Sequence, residues 1–416
     1  MQPVKMIVSL PSPPFGRGRQ ALNWEEQRVY TGLSDQPKNM LGTVPGRILR
    51  LTGFDSDVTA FTRTLEKVHS LRAAHHAVLQ YGQNLWQKAQ KHARKGNPDD
   101  RPLYWTRLAM TGALRRWRPS FSLSTTQWEK LLKILEASSR GATSTYFSMS
   151  QNTKKILITG FDPFGFDAHN DPADPCLRRS NPSGAAVLAL TGRIVTFVSG
   201  GKKITGEIRG SIFPVRFSDF DSGKTESYIR PFLREKSRVD MILTISQSGN
   251  SAFTFEHFAG RNRSSVSMDN LGAHGGGTKL QPSPGKNLEP GPEFLRSSLP
   301  IEEIRTGIHA GTDSTFPLVH NTAFTCMPPA PKTIGFPPYT AKAVEGSGGG
   351  YLSNEIFYRV ALLREKENPD TPTGHLHVPL FEVPPRGALH SPDLARKQKQ
   401  TVRHIRRILR EALPYI

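Results

Sequence analysis

The chain contains little cysteine and no long apolar run. Its 416 residues include 2 cysteines, Cys176 and Cys326, which are too few for a disulfide framework and lie in no metal-ligand spacing. No stretch approaches the roughly 20 apolar residues that span a bilayer. The opening apolar run, within residues 1–19, is short and broken by prolines, unlike a signal peptide. These absences predict a cytoplasmic protein with no membrane partner.

Acidic residues are also scarce relative to basic ones. The sequence has 55 Lys and Arg against 35 Asp and Glu, which gives a formal net charge of +20. An excess of this size favours contact with polyanions, but it fixes no specificity. A basic enzyme would show the same composition. Nucleic acid therefore stays open as a partner, although no recognised binding motif indicates it.

Residues 1–150 predict a basic, mainly helical extension. Apolar residues recur at helical spacing over Asp57–His92, and a second helix is predicted over Leu103–Trp117. A third is expected to begin at Ser124, where the hydroxyl can cap the helix and Gln127 follows three residues later. Ala137–Asn152 is rich in Ser, Thr and Gly, a composition typical of a linker.

The remainder alternates short apolar strands with helices. The predicted strands are Lys155–Thr159, Ile194–Val198, Ile208–Phe213 and Met241–Ile245. The predicted helices are Ser183–Leu190, Thr225–Lys236 and Ser391–Leu413. This alternation predicts a three-layer α/β/α domain over residues 154–416 with a central mixed, mostly parallel sheet, preceded by the helical extension.

Several separated segments resemble one known family in the same order. They are KKILITGFDPFG from Lys154, NPSG from Asn181, SQSGNSAFTFEHFAGRN from Ser246, MDN from Met268, GPEFLRSSLPIEEI from Gly291, GSGGGYLSNEIFY from Gly346 and GHLHVPLF from Gly374. Together they resemble pyroglutamyl peptidase I, a family of cysteine peptidases that remove an N-terminal pyroglutamyl residue from peptides. The resemblance covers roughly residues 154–385.

The resemblance implies a catalytic set of three residues. Ser353 stands where the family pattern AGTFVCN has its nucleophilic cysteine, His377 takes the place of the general base, and Glu256 takes the place of the carboxylate that orients it. An imidazole exchanges protons near neutral pH, which suits a base. Read without the family, His377 would be a structural residue as often as a catalytic one, and Glu256 a surface charge.

The resemblance also implies how substrate is bound. Phe161 and Phe164 would sandwich the flat pyrrolidone ring, with Gln247, Tyr351 and Leu352 as further substrate contacts. The implied partner is a peptide with an N-terminal pyroglutamate. No metal or organic cofactor is implied. Family members often form tetramers, so a homo-oligomer stays open.

Serine in place of cysteine leaves three interpretations. A serine hydroxyl is less acidic than a thiol, and a site shaped for sulfur can misplace the oxygen, which can cost about 100-fold in rate. The chain is then a serine-dependent peptidase with weak or altered activity, or a catalytically silent relative that binds pyroglutamyl or other blocked N-termini. In the third interpretation, the extension and the last helix contact nucleic acid or another anionic surface.

Overall fold

The computed structural model describes residues 20–30, 40–148, 152–166, 176–234, 237–310, 316–328 and 332–416. The predictions made for residues 1–19, for the centre of the linker (149–151) and for the last two residues of the helix expected at Thr225–Lys236 lie outside these ranges. Within the described residues, no helix is long and apolar enough to cross a membrane.

Twelve α-helices are found in the described residues. They are α1 (Trp24–Gln27), α2 (Val44–Thr52), α3 (Asp55–Glu66), α4 (Leu71–Arg94), α5 (Arg101–Arg116), α6 (Thr125–Ser139), α7 (Pro182–Leu190), α8 (Phe217–Asp221), α9 (Lys224–Ile229), α10 (Ile301–His309), α11 (Leu352–Glu367) and α12 (Pro392–Ala412). Short 3₁₀ turns cover Arg28–Tyr30, Met40–Gly42, Arg230–Leu233 and Leu413–Tyr415.

Fourteen strands accompany them. They are β1 (Thr153–Phe161), β2 (Ile194–Ser199), β3 (Lys202–Phe213), β4 (Met241–Ser248), β5 (Phe253–Glu256), β6 (Phe258–Gly260), β7 (Asn262–Arg263), β8 (Ser283–Pro284), β9 (Phe294–Arg296), β10 (Leu318–Asn321), β11 (Ala323–Cys326), β12 (Thr333–Ile334), β13 (Ala343–Glu345) and β14 (Thr373–Pro379).

The central sheet has seven strands in the order β10-β5-β14-β4-β1-β3-β2. Strands β14, β4, β1 and β3 run parallel to one another, whereas β2 pairs antiparallel with β3 and β5 pairs antiparallel with β14. The edge strand β10 runs parallel to β5. The predicted mixed, mostly parallel sheet is therefore confirmed. Small two- and three-stranded sheets lie outside it.

Two apolar layers cover the two faces of this sheet. Alternate residues of β1 divide between them, because Ile156 and Ile158 belong to one buried cluster and Leu157 to another. The first cluster contains α7, α12 and the helices of the N-terminal region, and the second contains α8, α9 and α11. The N-terminal helices thus share one continuous core with the sheet.

Local signals explain where the predicted helices hold and where they fail. The Ser124 hydroxyl accepts from the Gln127 N–H and the Gln127 side chain accepts from the Ser124 N–H, which forms the predicted capping box. The single helix predicted over Asp57–His92 is wrong, since α3 ends at Glu66 and α4 begins at Leu71. Ser70 caps α4 by accepting from the Ala73 N–H, a start signal hidden within an uninterrupted apolar pattern.

Candidate active site

Strand parity places the predicted acid and base on the same face of the sheet. Glu256 is the last residue of β5, and His377 lies near the carboxyl end of β14. Their apolar neighbours Phe255 and Leu376 point to the opposite face, into the first buried cluster. The polar side chains therefore face α11, which begins at Leu352 directly after the glycine-rich segment.

Glu256 and His377 form a buried hydrogen-bonded pair. His377 Nδ1 lies 2.7 Å from Glu256 Oε1, and the two side chains are 8% and 2% exposed. The second carboxylate oxygen, Oε2, accepts from Asn321 Nδ2 at 3.0 Å. Because the carboxylate accepts at Nδ1, that nitrogen carries the proton and Nε2 keeps its lone pair.

Asn321 was not found from the sequence. It ends β10, which pairs in register with β5 so that Asn321 lies beside Glu256. Its amide nitrogen also donates to the Ser347 carbonyl at 2.8 Å, and its Oδ1 accepts from the Ala323 N–H at 3.0 Å. One side chain thus holds both the orienting carboxylate and the start of the glycine-rich segment.

Glycines allow that segment to cross directly above the imidazole. A Cβ on Gly348 would lie 3.1 Å from His377 Cε1, closer than ordinary contact, and Gly349 has φ of +88°, which disfavours any side chain. Gly346 and Gly349 exchange two backbone hydrogen bonds of 3.1 and 3.0 Å. The resulting tight turn delivers the chain to the first turn of α11.

Ser353 lies in that first turn and opens onto the same cavity as His377. Its hydroxyl donates to the Gly348 carbonyl at 3.3 Å. Asn354, the next residue, fixes the helix start, since its side chain exchanges two hydrogen bonds with the backbone of Gly260, of 2.8 and 2.7 Å. Within the described residues, no hydrogen bond joins Ser353 to His377.

The cavity has a volume of about 340 Å³. Its lining includes the predicted residues Phe164, Gln247, Glu256, Tyr351, Ser353 and His377, together with Ser248, Asn250, Ser265, Ser267, Asn321, Lys332, Ser347 and Gly348, which were not predicted. Ser248, Asn250, Ser347 and Gly348 lie in quoted segments that were not assigned a contact at these positions, and the remaining residues of the second group lie outside those segments.

Two predicted substrate contacts lie elsewhere. Phe161 is buried and stacks on Phe220 at 6.3 Å between centroids, within the cluster beneath α8. Leu352 points into the same cluster. Neither side chain lines the cavity, so the structure does not bring Phe161 and Phe164 together around it. The aromatic neighbour of Phe164 is Tyr351, stacked at 6.0 Å and 25°.

Tyr351 presents a neutral phenol at the edge of the cavity. Its hydroxyl donates to the Met268 carbonyl at 2.9 Å. Burial, and next the charge of Asp269, raise the pKa of Tyr351. The carboxylate of Asp269 accepts from the backbone of Phe217, at 2.8 Å. The MDN segment therefore contacts the cavity wall through the Met268 carbonyl.

His375 is held as a buried neutral imidazole beneath the candidate base. Thr244 donates its hydroxyl proton to the Gly374 carbonyl at 3.0 Å, so it accepts from His375 Nδ1 at 2.8 Å. Ser246 then donates to Nε2 at 2.7 Å. Burial, followed by the neighbouring His377, lowers the pKa of His375 well below its ordinary value. Burial and two hydrogen bonds thus fix the His375 ring beside His377.

The loop that carries Phe164 is anchored by the N-terminal helices. Asp162 accepts from Arg107 Nη2 at 2.8 Å and from Arg140 Nη1 at 2.5 Å, and all three side chains are buried. Asp100, before α5, accepts from the Asn181 N–H at 2.9 Å and from Ser180 Oγ at 2.6 Å. The GFDPFG and NPSG segments are both fixed from the helical side.

Sequence comparison places the chain among the homologues of the pyrrolidone-carboxylate peptidases. It is 26% identical over 237 residues to the pyrrolidone-carboxylate peptidase of Lactobacillus acidophilus, a match that covers 57% of this chain and 88% of that protein. Among solved structures, the pyrrolidone carboxyl peptidase from Thermococcus litoralis matches with a TM-score of 0.41 and 18% identity, covering 63% of this chain and 94% of the other.

A narrower family is defined by two domains. The PA0049 N-terminal domain matches residues 14–136, and the PA0049 C-terminal domain matches residues 155–279 and 309–382. Together the two domain models match more than half of the chain. It is 29% identical over 454 residues to the uncharacterized protein PA0049 of Pseudomonas aeruginosa, covering 87% of this chain and 81% of that protein.

Proposed function

We propose that the chain hydrolyses the bond after an N-terminal pyroglutamyl residue, with Ser353 as nucleophile, His377 as general base and Glu256 as the residue that orients it. The observation that carries the proposal is the buried 2.7 Å contact between His377 and Glu256 beside a cavity that Ser353 also lines. Serine, histidine and a carboxylate form working triads on unrelated folds. The names of the relatives supply the substrate class.

In each half of the reaction, the His377 imidazole accepts one proton and then returns it. Nε2 of His377 takes the hydroxyl proton of Ser353 while Oγ attacks the pyroglutamyl carbonyl, and Glu256 stabilises the imidazolium that forms. Collapse of the tetrahedral intermediate breaks the amide bond, and His377 returns the proton to the leaving amine. Water then attacks the acyl-enzyme by the same route and releases pyroglutamate with the serine regenerated.

Negative charge that develops on the substrate's carbonyl oxygen must be stabilised by hydrogen-bond donors. The start of α11 can provide them. Tyr351, the N-cap residue, makes no side-chain hydrogen bond to the first turn. The N–H groups of that turn are thus not capped by its side chain, and they point toward the end of the helix where Ser353 lies. Such groups stabilise an oxyanion when they face it. This geometry supports acyl transfer at Ser353.

We assign the pyrrolidone ring to the space between Phe164 and Tyr351. Their rings are nearly parallel with centroids 6.0 Å apart. A flat ring stacked between two others needs about 7 Å, since carbon atoms pack at roughly 3.5 Å. An opening of about 1 Å at the Phe164 loop would admit the ligand. Both rings line the same cavity as Ser353.

A silent relative is the second candidate function. Its support is the Ser353 hydroxyl, which donates to the Gly348 carbonyl and not to the imidazole. An attacking hydroxyl must instead be within hydrogen-bond reach of its base. If substrate does not turn the hydroxyl toward His377, the cavity binds a blocked N-terminus without cleaving it.

Ser353→Cys tests both candidates with a fluorogenic pyroglutamyl amide. We expect slow turnover by the native chain and at least a 100-fold rise in kcat/KM in the variant, because the larger, more acidic thiol reaches the base more readily (about 100-fold for a small misplacement). Ser267→Cys is the matched control, since it adds a thiol to the same cavity from a residue that is not part of α11. Its rate should equal that of the native chain.

Three outcomes separate the alternatives. Fast native turnover that His377→Ala abolishes would refute the silent relative. Turnover only in Ser353→Cys would establish the site and show that the native chain is silent. No turnover in either protein, together with no binding of pyroglutamyl peptides by calorimetry, would refute the proposed substrate class.

A further inference from the structure

A second cluster of polar side chains lies outside the candidate active site. His257 follows β5 directly, Glu302 is in the first turn of α10, and His320 belongs to β10. Each contributes one potential ligand atom, and these three atoms lie within 4.8 Å of one another. Three separate elements therefore converge on one point at the edge of the sheet.

The donor set has a defined metal preference. Two imidazoles and one carboxylate suit zinc and related divalent transition metals, whereas calcium and magnesium prefer oxygen ligands. With metal–ligand bonds of about 2.0–2.1 Å, tetrahedral ligands lie roughly 3.3 Å apart. The most distant pair of donors would need to approach by about 1.5 Å. Glu302 and His320 can supply this movement, because their side chains are 60% and 39% exposed.

His257 would be the ligand with the least freedom to move, and its buried ring nitrogen is independent evidence for the site. Its Nε2 is shielded from solvent and has no hydrogen-bond partner in the described part of the chain, and an unpaired buried polar nitrogen is costly. Its backbone is held, since the His257 N–H donates to the Asn321 carbonyl at 3.0 Å.

The charges around the cluster define what a metal would replace. Glu302 Oε1 contacts His320 Nδ1 at 2.7 Å, and Glu302 Oε2 contacts Arg305 Nη1 at 2.6 Å. Arg296 adds a second nearby positive charge. A cation between the imidazoles would take over the first contact, while Arg305 could keep the second oxygen and orient the carboxylate.

We propose that His257, Glu302 and His320 bind one divalent transition-metal ion of the zinc type, with water at the remaining position. The site adjoins the candidate active site, because His257 follows Glu256 and His320 precedes Asn321. Bound metal would clamp the edge strand β10 to β5 and to α10. The carboxylate that orients His377 would then be held more firmly by Asn321.

Zinc titration of the full-length protein by calorimetry tests the site. The protein is first treated with chelator, then kept reduced. We expect one zinc ion per chain and at least about 100-fold weaker binding in Glu302→Gln and in His320→Ala, since even the loss of an outer partner weakens metal sites 10–100-fold. His76→Ala, an exposed imidazole on α4, and Cys326→Ser should bind as the native chain does.

The result does not depend on peptidase activity. Zinc should also raise the unfolding temperature of the native chain and leave that of Glu302→Gln unchanged, because a ligand stabilises only the state that binds it. Native-like circular dichroism of both variants without metal would show that they fold. Equal zinc affinity in the native chain, Glu302→Gln and His320→Ala would overturn the proposal, as would the absence of zinc binding at millimolar concentration.

Discussion

Replacing Glu256 by glutamine should reverse the tautomer of His377. The carboxylate accepts two hydrogen bonds, from His377 Nδ1 and from Asn321 Nδ2. An amide offers one oxygen and one NH₂ group, so it can accept only one of these. Either His377 or Asn321 must therefore change the group that it presents to residue 256.

The surroundings of Asn321 decide it. If the new amide turned its oxygen to His377, its NH₂ group would face the NH₂ group of Asn321, which would have to flip. A flip would bring Oδ1 against the Ser347 carbonyl and would break the hydrogen bonds to Ser347 and Ala323. Two hydrogen bonds are worth about 2 kcal/mol in total. His377 should instead accept from the new amide at Nδ1 and carry its proton on Nε2.

The Nε2–H tautomer of His377 cannot act as the general base. With Nε2 protonated, His377 cannot take the proton of the nucleophile, and the corresponding change in a serine peptidase triad lowers kcat by about 10⁴-fold. The assay is kcat for a pyroglutamyl amide, in the native chain or in Ser353→Cys, whichever turns over. Nitrogen-15 shifts of the imidazole report the tautomer directly, with or without activity.

A second substitution provides the control. Asn321→Asp in the Glu256→Gln background gives up the hydrogen bond to the Ser347 carbonyl, but its carboxylate can accept from the new amide, which frees the amide oxygen to face His377 and restores the Nδ1–H form. Part of the lost kcat should return. An Nδ1–H tautomer in Glu256→Gln, or a kcat equal to that of the parent, would contradict this prediction.

Two further predictions concern stability. Asp162→Ala removes one of the two carboxylates that Arg107 and Arg140 share and leaves them Glu136 alone. The loss of two charge-assisted hydrogen bonds should lower the free energy of unfolding by about 3 kcal/mol in urea denaturation; a loss under about 1 kcal/mol would contradict this. Burial, and then Asp99, raise the pKa of Asp100 from 3.8 to about 8, so the folded state retains a proton that the unfolded state loses. Stability should fall by about 1 kcal/mol per pH unit as pH rises through that window, and Asp100→Asn should remove this slope; an unchanged slope would refute the assignment.

Local signals made much of the fold predictable. The capping pair Ser124 and Gln127 is complete within four residues, and the apolar runs that formed β1 and β4 are continuous in the sequence. The break between α3 and α4 was missed because Val68 and Leu71 preserve the apolar spacing across it. Periodicity detects a buried face and not an interruption of the backbone.

The candidate site was predictable only where a family motif supplied it. Glu256 and His377 come together as expected, although 121 positions separate them. Asn321 escaped notice because its role depends on the register of β10 against β5, which no local pattern encodes. The position of Phe161 was not predicted for a related reason. It ends a strand, and its packing against Phe220 assigns it to the core.

A buried ion pair connects the N-terminal helices to the candidate site. Arg107 is fully buried, and its guanidinium reaches Asp162 at the base of the loop that carries Phe164. A buried charge that loses its partner destabilises strongly, so the helices cannot separate from the sheet without exposing or stranding this pair. The aromatic wall of the cavity is therefore positioned by residues that lie outside the peptidase-like region. A change in the helical layer should reach the candidate cavity through Asp162, by altering the loop that carries Phe164 and not Glu256 or His377.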